Sequence, residues 1–309
     1  MAALTVTIIS AAPVLAAEDI PVNDDISVSG DYDWTRFAGD HITLNVYNNG
    51  LYISDGSDES VNVLSAFEEL TGIKVNYTTY DSNESLYAKL KSGGVSYDVI
   101  FPSDYMVGKM AKEGMLAELN MDNIPNFAGI GEEYLDRGFD PGNKYSVPYM
   151  WGTTGILYNT AYVPQEDVAS WECLWNPRYK GKMLMKDSYR DAYGVAMLYA
   201  YRDKLDKGQI SVDSIINDYS TSAIDTAEIY LKRMKPLLAG WEADFGKEMM
   251  TKSKVWINMT WSGDAQWAIE EAEKIGTELN YSIPEEGSMI WYDGWAIPKY
   301  ARNPKAASY

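Results

Sequence analysis

Two aromatic–acid pairs stand near the end of this 309-residue chain: Trp261-Ser-Gly-Asp264 and Trp291-Tyr-Asp293. Each sets an indole within a turn or a strand step of a carboxylate. That pairing suits a cation with an ammonium head and an aliphatic body. The acid takes the ammonium, and the indole packs the methylenes while its π face attracts the charge. A cation–π contact of this kind contributes roughly 0.5–2 kcal/mol, depending on desolvation. Taken alone, such pairs are more often core indoles beside solvated carboxylates, so the rest of the chain has to decide.

The overall charge is compatible with a cationic ligand. Lys and Arg number 26 against 45 Asp and Glu, a net charge of −19. This excess of acid opposes nucleic acid and anionic membrane surfaces as partners. Plain solubility explains it too. With 46% apolar residues the chain can build a sizeable core. A single cysteine, Cys173, allows no internal disulfide and no CxxC cluster, and reads as a small buried hydrophobe. His41 is the only histidine and precedes the first core strand, which leaves a Ser-His-Asp or Cys-His machine without its base. HExxH, Walker A and GxGxxG patterns are absent, and no metal or cofactor is expected.

The elements that must position the pairs follow a regular order. Residues 1–17 are uncharged and end in small residues, as a secretory signal does, although no basic residue precedes Arg36. A cropped start or the tail of a longer membrane segment would explain that gap. Residues 18–41 are acidic and aperiodic and read as a flexible leader. Ile42–Tyr47 has a strand pattern, and Ser57–Leu70 carries Val61, Leu64, Phe67 and Leu70 on one helical face, stopped by Gly72. Ile73–Tyr77 alternates like a strand. Ser82 and Asn83 can cap a helix holding Leu86, Tyr87 and Leu90. Tyr97–Phe101 is a third strand, and Ser103 can cap a helix through Met106, Val107 and Met110 to Gly114.

Such alternation predicts a right-handed α/β layer with a largely parallel sheet. Ligands bind beyond the carboxyl ends of its strands, which here are Asn48–Tyr52 and Ser103–Tyr105. Tyr149–Gly155 fits a chain crossing between lobes. Helices are expected over 221–239 and 263–274, a strand over 287–298, and a helix start near Asn303.

Several blocks resemble the bacterial spermidine/putrescine-binding proteins. They are Tyr80–Leu90, Tyr97-Asp98, Pro102-Ser-Asp-Tyr105, Tyr145–Gly152, Leu174–Gly181, Trp291-Tyr-Asp293 and Ala296-Ile-Pro298. The resemblance spans about 42–308 in order. It implies a two-lobe periplasmic-binding-protein fold of the type II kind, with hinge-crossing strands: 42–149 plus 294–309 as one lobe and 150–293 as the other. It further implies a non-catalytic receptor that closes on a polyamine and delivers it to an ABC transporter permease. Such a receptor works as a monomer in the periplasmic space or on the outer side of the cytoplasmic membrane.

The resemblance carries ligand contacts onto Tyr52, Ser103, Tyr105, Asp191, Trp261, Asp264, Trp291 and Asp293, with Asn49 and Ser188 at matching but altered positions. Asp191, Asp264 and Asp293 would pair with ammonium groups, and Ser103 would hydrogen-bond an amine. The family's aromatic and acid after the first strand are replaced by Asn49 and Leu51, which removes one wall and one charge. The family's final helices are not matched, as expected of a fragment. Two alternatives remain: the same fold holding a quaternary amine or a sugar, and a secreted glycosidase using a carboxylate pair with one raised pKa.

Overall fold

The structure, a computed structural model, describes residues 18–308 apart from 25, 58 and 59. The expected secretory start lies outside the described residues. The leader contains a short antiparallel pairing, β1 (Ile20–Pro21) with β2 (Ser27–Val28). A turn in which Asn23 Oδ1 accepts the Ile26 amide at 2.7 Å joins them. This local pairing is invisible in an acidic, aperiodic composition.

In the first lobe, β3 (Thr43–Asn49), β4 (Lys74–Tyr80) and β5 (Val99–Ile100) run parallel in the order β4-β3-β5. Between them lie α1 (Val63–Thr71) and α2 (Asn83–Lys91), followed by α3 (Asp104–Lys112). Local signals set the helix ends. Gly72 closes α1 at φ 71°, a left-handed conformation that favours glycine. Ser82 and Ser85 form a reciprocal capping box at α2. α1 begins at Val63, later than the expected Ser57, because Asn62 caps it by accepting the Ser65 amide at 2.9 Å. One sheet face packs on Leu86, Val107 and Met110, the other on Ile73, Phe101 and Ala306 of α9 (Pro304–Ala307).

The second lobe holds β7 (Met183–Lys186), β8 (Gly240–Glu242) and β9 (Ile257–Trp261), parallel in the order β9-β7-β8. Its helices are α4 (Tyr189–Asp206), α5 (Val212–Ile216), α6 (Thr221–Met234), α7 (Gly246–Thr251) and α8 (Ser262–Glu273). Trp171, Leu174, Val195, Leu198 and Met234 fill the core on one side of this sheet, and Leu157, Leu184 and Ala268 on the other. Burying each large apolar side chain contributes about 1.5–3 kcal/mol. Cys173 lies in the first of these cores, and burial pushes its thiol pKa up, as expected of a small hydrophobe.

Two antiparallel strands join the lobes: β6 (Ser146–Asn159) and β11 (Ile290–Ala296). A further strand, β10 (Leu279–Ser282), pairs with the far end of β6. β6 is buried at its ends and open in the middle, where Met150 is 39% and Trp151 51% exposed. That profile is what a strand leaving one core and entering another must show. The β6–β11 register shifts between Asp293 and Gly294. Both lobes aim the carboxyl ends of their parallel strands at the gap between them, where α/β sheets take ligands.

Candidate functional site

The gap is a cleft of about 1480 Å³. Asn49, Tyr52, Ser103, Tyr105, Ser188, Asp191, Trp261, Asp264, Trp291 and Asp293 all line it, so one wall system gathers side chains from five segments. Leu51 lines it as well, 76% exposed and at a positive φ of 52°.

The hinge end is organised by Asp293. Its side chain is placed by β11 at the register shift, and the residue is only 6% exposed. Oδ2 accepts the Tyr52 hydroxyl, whereas Oδ1 is buried with no hydrogen-bond partner. Burial lifts the Asp293 pKa to about 6, partly countered by the nearby Ser103 and Tyr52 hydroxyls and reinforced by the Asp104 and Asp191 charges. Tyr52 is fixed in turn: its carbonyl accepts the Tyr149 hydroxyl at 2.6 Å, and the two rings meet edge to face at 5.6 Å. Burial, then the neighbouring Asp293 carboxylate, pushes the Tyr52 phenol pKa up, so the hydroxyl stays protonated and donates to that carboxylate.

Trp291 closes the same end. Its ring leaves no room beside Gly152, where a Cβ would lie 2.4 Å from Cζ2. Its Nε1 is another buried polar atom with no partner. Ser103 precedes α3, but its hydroxyl caps no amide. It accepts Asn83 Nδ2 at 2.8 Å instead. The Tyr105 hydroxyl donates to Glu84 Oε1 at 2.9 Å.

Asp191 stands in the first turn of α4, capped by Ser188, whose hydroxyl accepts the Asp191 amide at 3.3 Å. Its Oδ1 accepts Thr154 Oγ1 at 2.6 Å and its Oδ2 accepts Trp261 Nε1 at 3.0 Å. Both partners are neutral. The adjacent Arg190 turns away to the Ile216 carbonyl and Asn217 Oδ1, so no ion pair forms between the two neighbours.

The far end is different. Asp264, expected to be open to a ligand ammonium, is already paired: Lys186 Nζ donates to Oδ2 at 2.6 Å, and Lys247 Nζ lies 3.5 Å from Oδ1. Lys186 also reaches Glu242 at 3.2 Å and the Ala243 carbonyl, and its ammonium lies 4.4 Å from the Trp261 ring centroid. The residue-type reading of Trp261 and Asp264 as an ammonium holder describes this geometry, but the ammonium belongs to the chain.

Three charged residues were not picked out from the sequence. Asp104 sits within the Pro102–Tyr105 block and opens α3, where the Tyr292 amide donates to Oδ2 at 3.2 Å; burial raises its pKa. Glu84 sits in the first turn of α2. Both looked like ordinary acids at helix starts. Lys186 had a signal: it ends an otherwise apolar strand, Met183-Leu-Met-Lys186. Among the described residues no cluster of His, Cys, Asp and Glu is arranged to hold a metal ion.

Known proteins share this architecture. The profile of the bacterial extracellular solute-binding proteins matches residues 62–309. The spermidine/putrescine-binding periplasmic protein of Escherichia coli strain K12 is 36% identical over 271 residues, covering 87% of this chain and 72% of that one. Among solved structures, a spermidine/putrescine ABC transporter structure from Listeria monocytogenes superposes with a TM-score of 0.74 at 34% identity, covering 86% of this chain and 76% of that one. The substrate-binding protein PotD of a Streptococcus pneumoniae spermidine/putrescine ABC transporter gives 0.64 at 35% identity, with the same coverage of 86% and 76%.

Proposed function

This chain belongs to the bacterial extracellular solute-binding proteins, and we propose that it captures a polyamine outside the cytoplasmic membrane and delivers it to an ABC importer permease, without catalysis. The observation that carries this reading is Asp293: a buried carboxylate with one unpartnered oxygen, in a cleft shared with Asp104 and Asp191. A buried carboxylate costs several kcal/mol unless a cation reaches it. A ligand ammonium at Oδ1 supplies that cation. Tyr52 holds the acid, Ser103 offers its hydroxyl to an amine, Trp291 and Tyr105 cover the methylenes, and Asp191 adds charge across the cleft. Lobe closure about β6 and β11 then shields the pair from water.

Calorimetric titration of the purified chain with putrescine, spermidine, choline and a disaccharide tests the proposal. Binding of a polyamine that is lost in Asp293→Asn supports it. Binding of choline or sugar alone keeps the fold and overturns the ligand.

One observation favours a second reading. A carboxyl with a pKa of about 6 beside other carboxylates is what a glycosidase acid requires. Release of reducing sugar from generic glycans would select that reading. The similarity to transport receptors, together with the Tyr52 clamp on Asp293, weighs against it.

A further inference from the structure

The carboxyl ends of β7, β8 and β9 meet at one point, where a doubly wound sheet offers its ligand position. That point is filled from within. Lys186 is 1% exposed, and its ammonium has acceptors in Glu242, Asp264 and the Ala243 carbonyl. The Trp261 ring supplies a π surface 4.4 Å away. Two carboxylates, a carbonyl and an indole make a complete holder for a primary ammonium. Glu242 is itself fixed by the Gly246 amide at 3.0 Å and Asn258 Nδ2 at 3.1 Å, so the holder is built and rigid.

We infer that Lys186 is a tethered ammonium that occupies the amine-holding position at this end of the cleft and thereby sets the length of the ligand. The inference rests on the polyamine reading of the site and deepens it. With Lys186 in place, Asp264 has no uncompensated charge to offer, and Lys247 beside it adds a second resident cation. Of the three carboxylates assigned to ligand ammonium groups, that leaves Asp293 at the hinge and Asp191 across the cleft, both with only neutral partners. The receptor therefore selects a short diamine. The third amine of a triamine meets a position where an ammonium already sits.

The test compares putrescine and spermidine on the parent chain and on a double variant, Lys186→Ala with Lys247→Met. This pair of substitutions removes both resident cations and vacates the space of the Lys186 side chain, leaving Glu242 and Asp264 to pair with a ligand ammonium. In the parent, the added aminopropyl arm of spermidine brings no gain in affinity over putrescine. In the variant, spermidine gains on putrescine by about tenfold, roughly 1.4 kcal/mol. Lys186→Arg, which keeps a cation in the holder, retains the parental preference.

A parent that binds spermidine more than about tenfold tighter than putrescine overturns the inference and leaves the receptor reading intact. So does a folded variant with an unchanged ratio. If the double variant does not fold, the comparison on the parent decides by itself. Failure of the folded parent and the folded variant to bind any polyamine sinks the receptor reading, and this inference with it.

Discussion

The two ends of the cleft are built from the same ingredients and stand in opposite states. At the far end, Trp261 and Asp264 surround a buried lysine, and the carboxylate has two cationic partners. At the hinge end, Asp293 has the neutral Tyr52 hydroxyl on one oxygen, while its other oxygen and the Trp291 indole N–H are buried without partners among the described residues. A Trp–Asp spacing therefore states which ion is wanted but not who provides it. The provider at the far end lies 78 residues before Asp264, and only the fold brings it there. The lesson concerns cost as well as identity. A buried charge pair that is complete stabilises the unliganded protein relative to a broken one, whereas a buried charge kept waiting destabilises it until ligand arrives.

Breaking the waiting end has the largest expected effect. Asp293→Asn should weaken polyamine binding by more than about a hundredfold, since losing one partner of a buried charge pair costs on the order of 3–5 kcal/mol. Calorimetry measures this. The same substitution should leave the unliganded protein as stable as the parent or more so, by on the order of 1–3 kcal/mol at pH 7.5, because it removes an ionised carboxylate that burial penalises. A thermal midpoint several degrees below that of the parent would contradict the picture of a waiting charge.

Breaking the completed end should do the reverse. Lys186→Met alone leaves Glu242 and Asp264 short of a cation and should destabilise the fold by about 3–4 kcal/mol in denaturant titration. Adding Glu242→Gln should recover part of that loss, a coupling that a double-mutant cycle resolves.

Acidity separates the two ends next. The folded pKa of Asp293, about 6, lies above the ordinary carboxylate value of 3.8. Between those values the folded protein holds a proton that the unfolded chain has released. The contribution of this group to stability is therefore present below about 3.8 and is lost as the pH rises through about 6. Ligand affinity moves the other way, because an ammonium needs the ionised acid. Binding should weaken by about tenfold from pH 7.5 to pH 5 as the proton competes, with little further change above pH 7.5. Calorimetry across that range, in buffers of matched ionic strength, checks it.

The smallest effect is expected from Tyr52→Phe. It removes the hydroxyl that donates to Asp293 Oδ2 and should cost about 1–1.5 kcal/mol of ligand affinity, roughly tenfold. It should also move the acid limb of the pH profile upward, since that hydrogen bond favours the ionised acid.

Much of the first lobe was legible because its signals are local. Gly72, Ser82 and the apolar faces of α1 and α2 lie within a few residues of what they control. The strand expected over Tyr97–Phe101 is shorter, Val99–Ile100, because the Tyr97 ring stacks on Tyr47 at 4.3 Å and the Asp98 carboxylate is taken by the Asn45 and Asn303 amides. Those partners are distant in sequence, so periodicity could not include them. The full fourteen-residue span of β6 was likewise hidden, since its open middle interrupts the apolar pattern that marks a strand. At the site, residue types and family blocks pointed to side chains that share one cleft. They carried no information on which acids had already found a cation, because that is a property of the assembled tertiary structure.

The register shift beside Asp293 has a mechanical consequence. Strands bend most readily where the ladder of backbone hydrogen bonds is interrupted, and here the interruption adjoins the residue that carries the waiting charge. Gly152, two positions along the opposing strand from the partner of Asp293, has the Trp291 ring resting on it and cannot gain even a methyl group without displacing it. The residue proposed to receive the ligand ammonium is thus also the residue beside which the crossing strand bends most readily, so ligand charge and hinge geometry are coupled through one side chain.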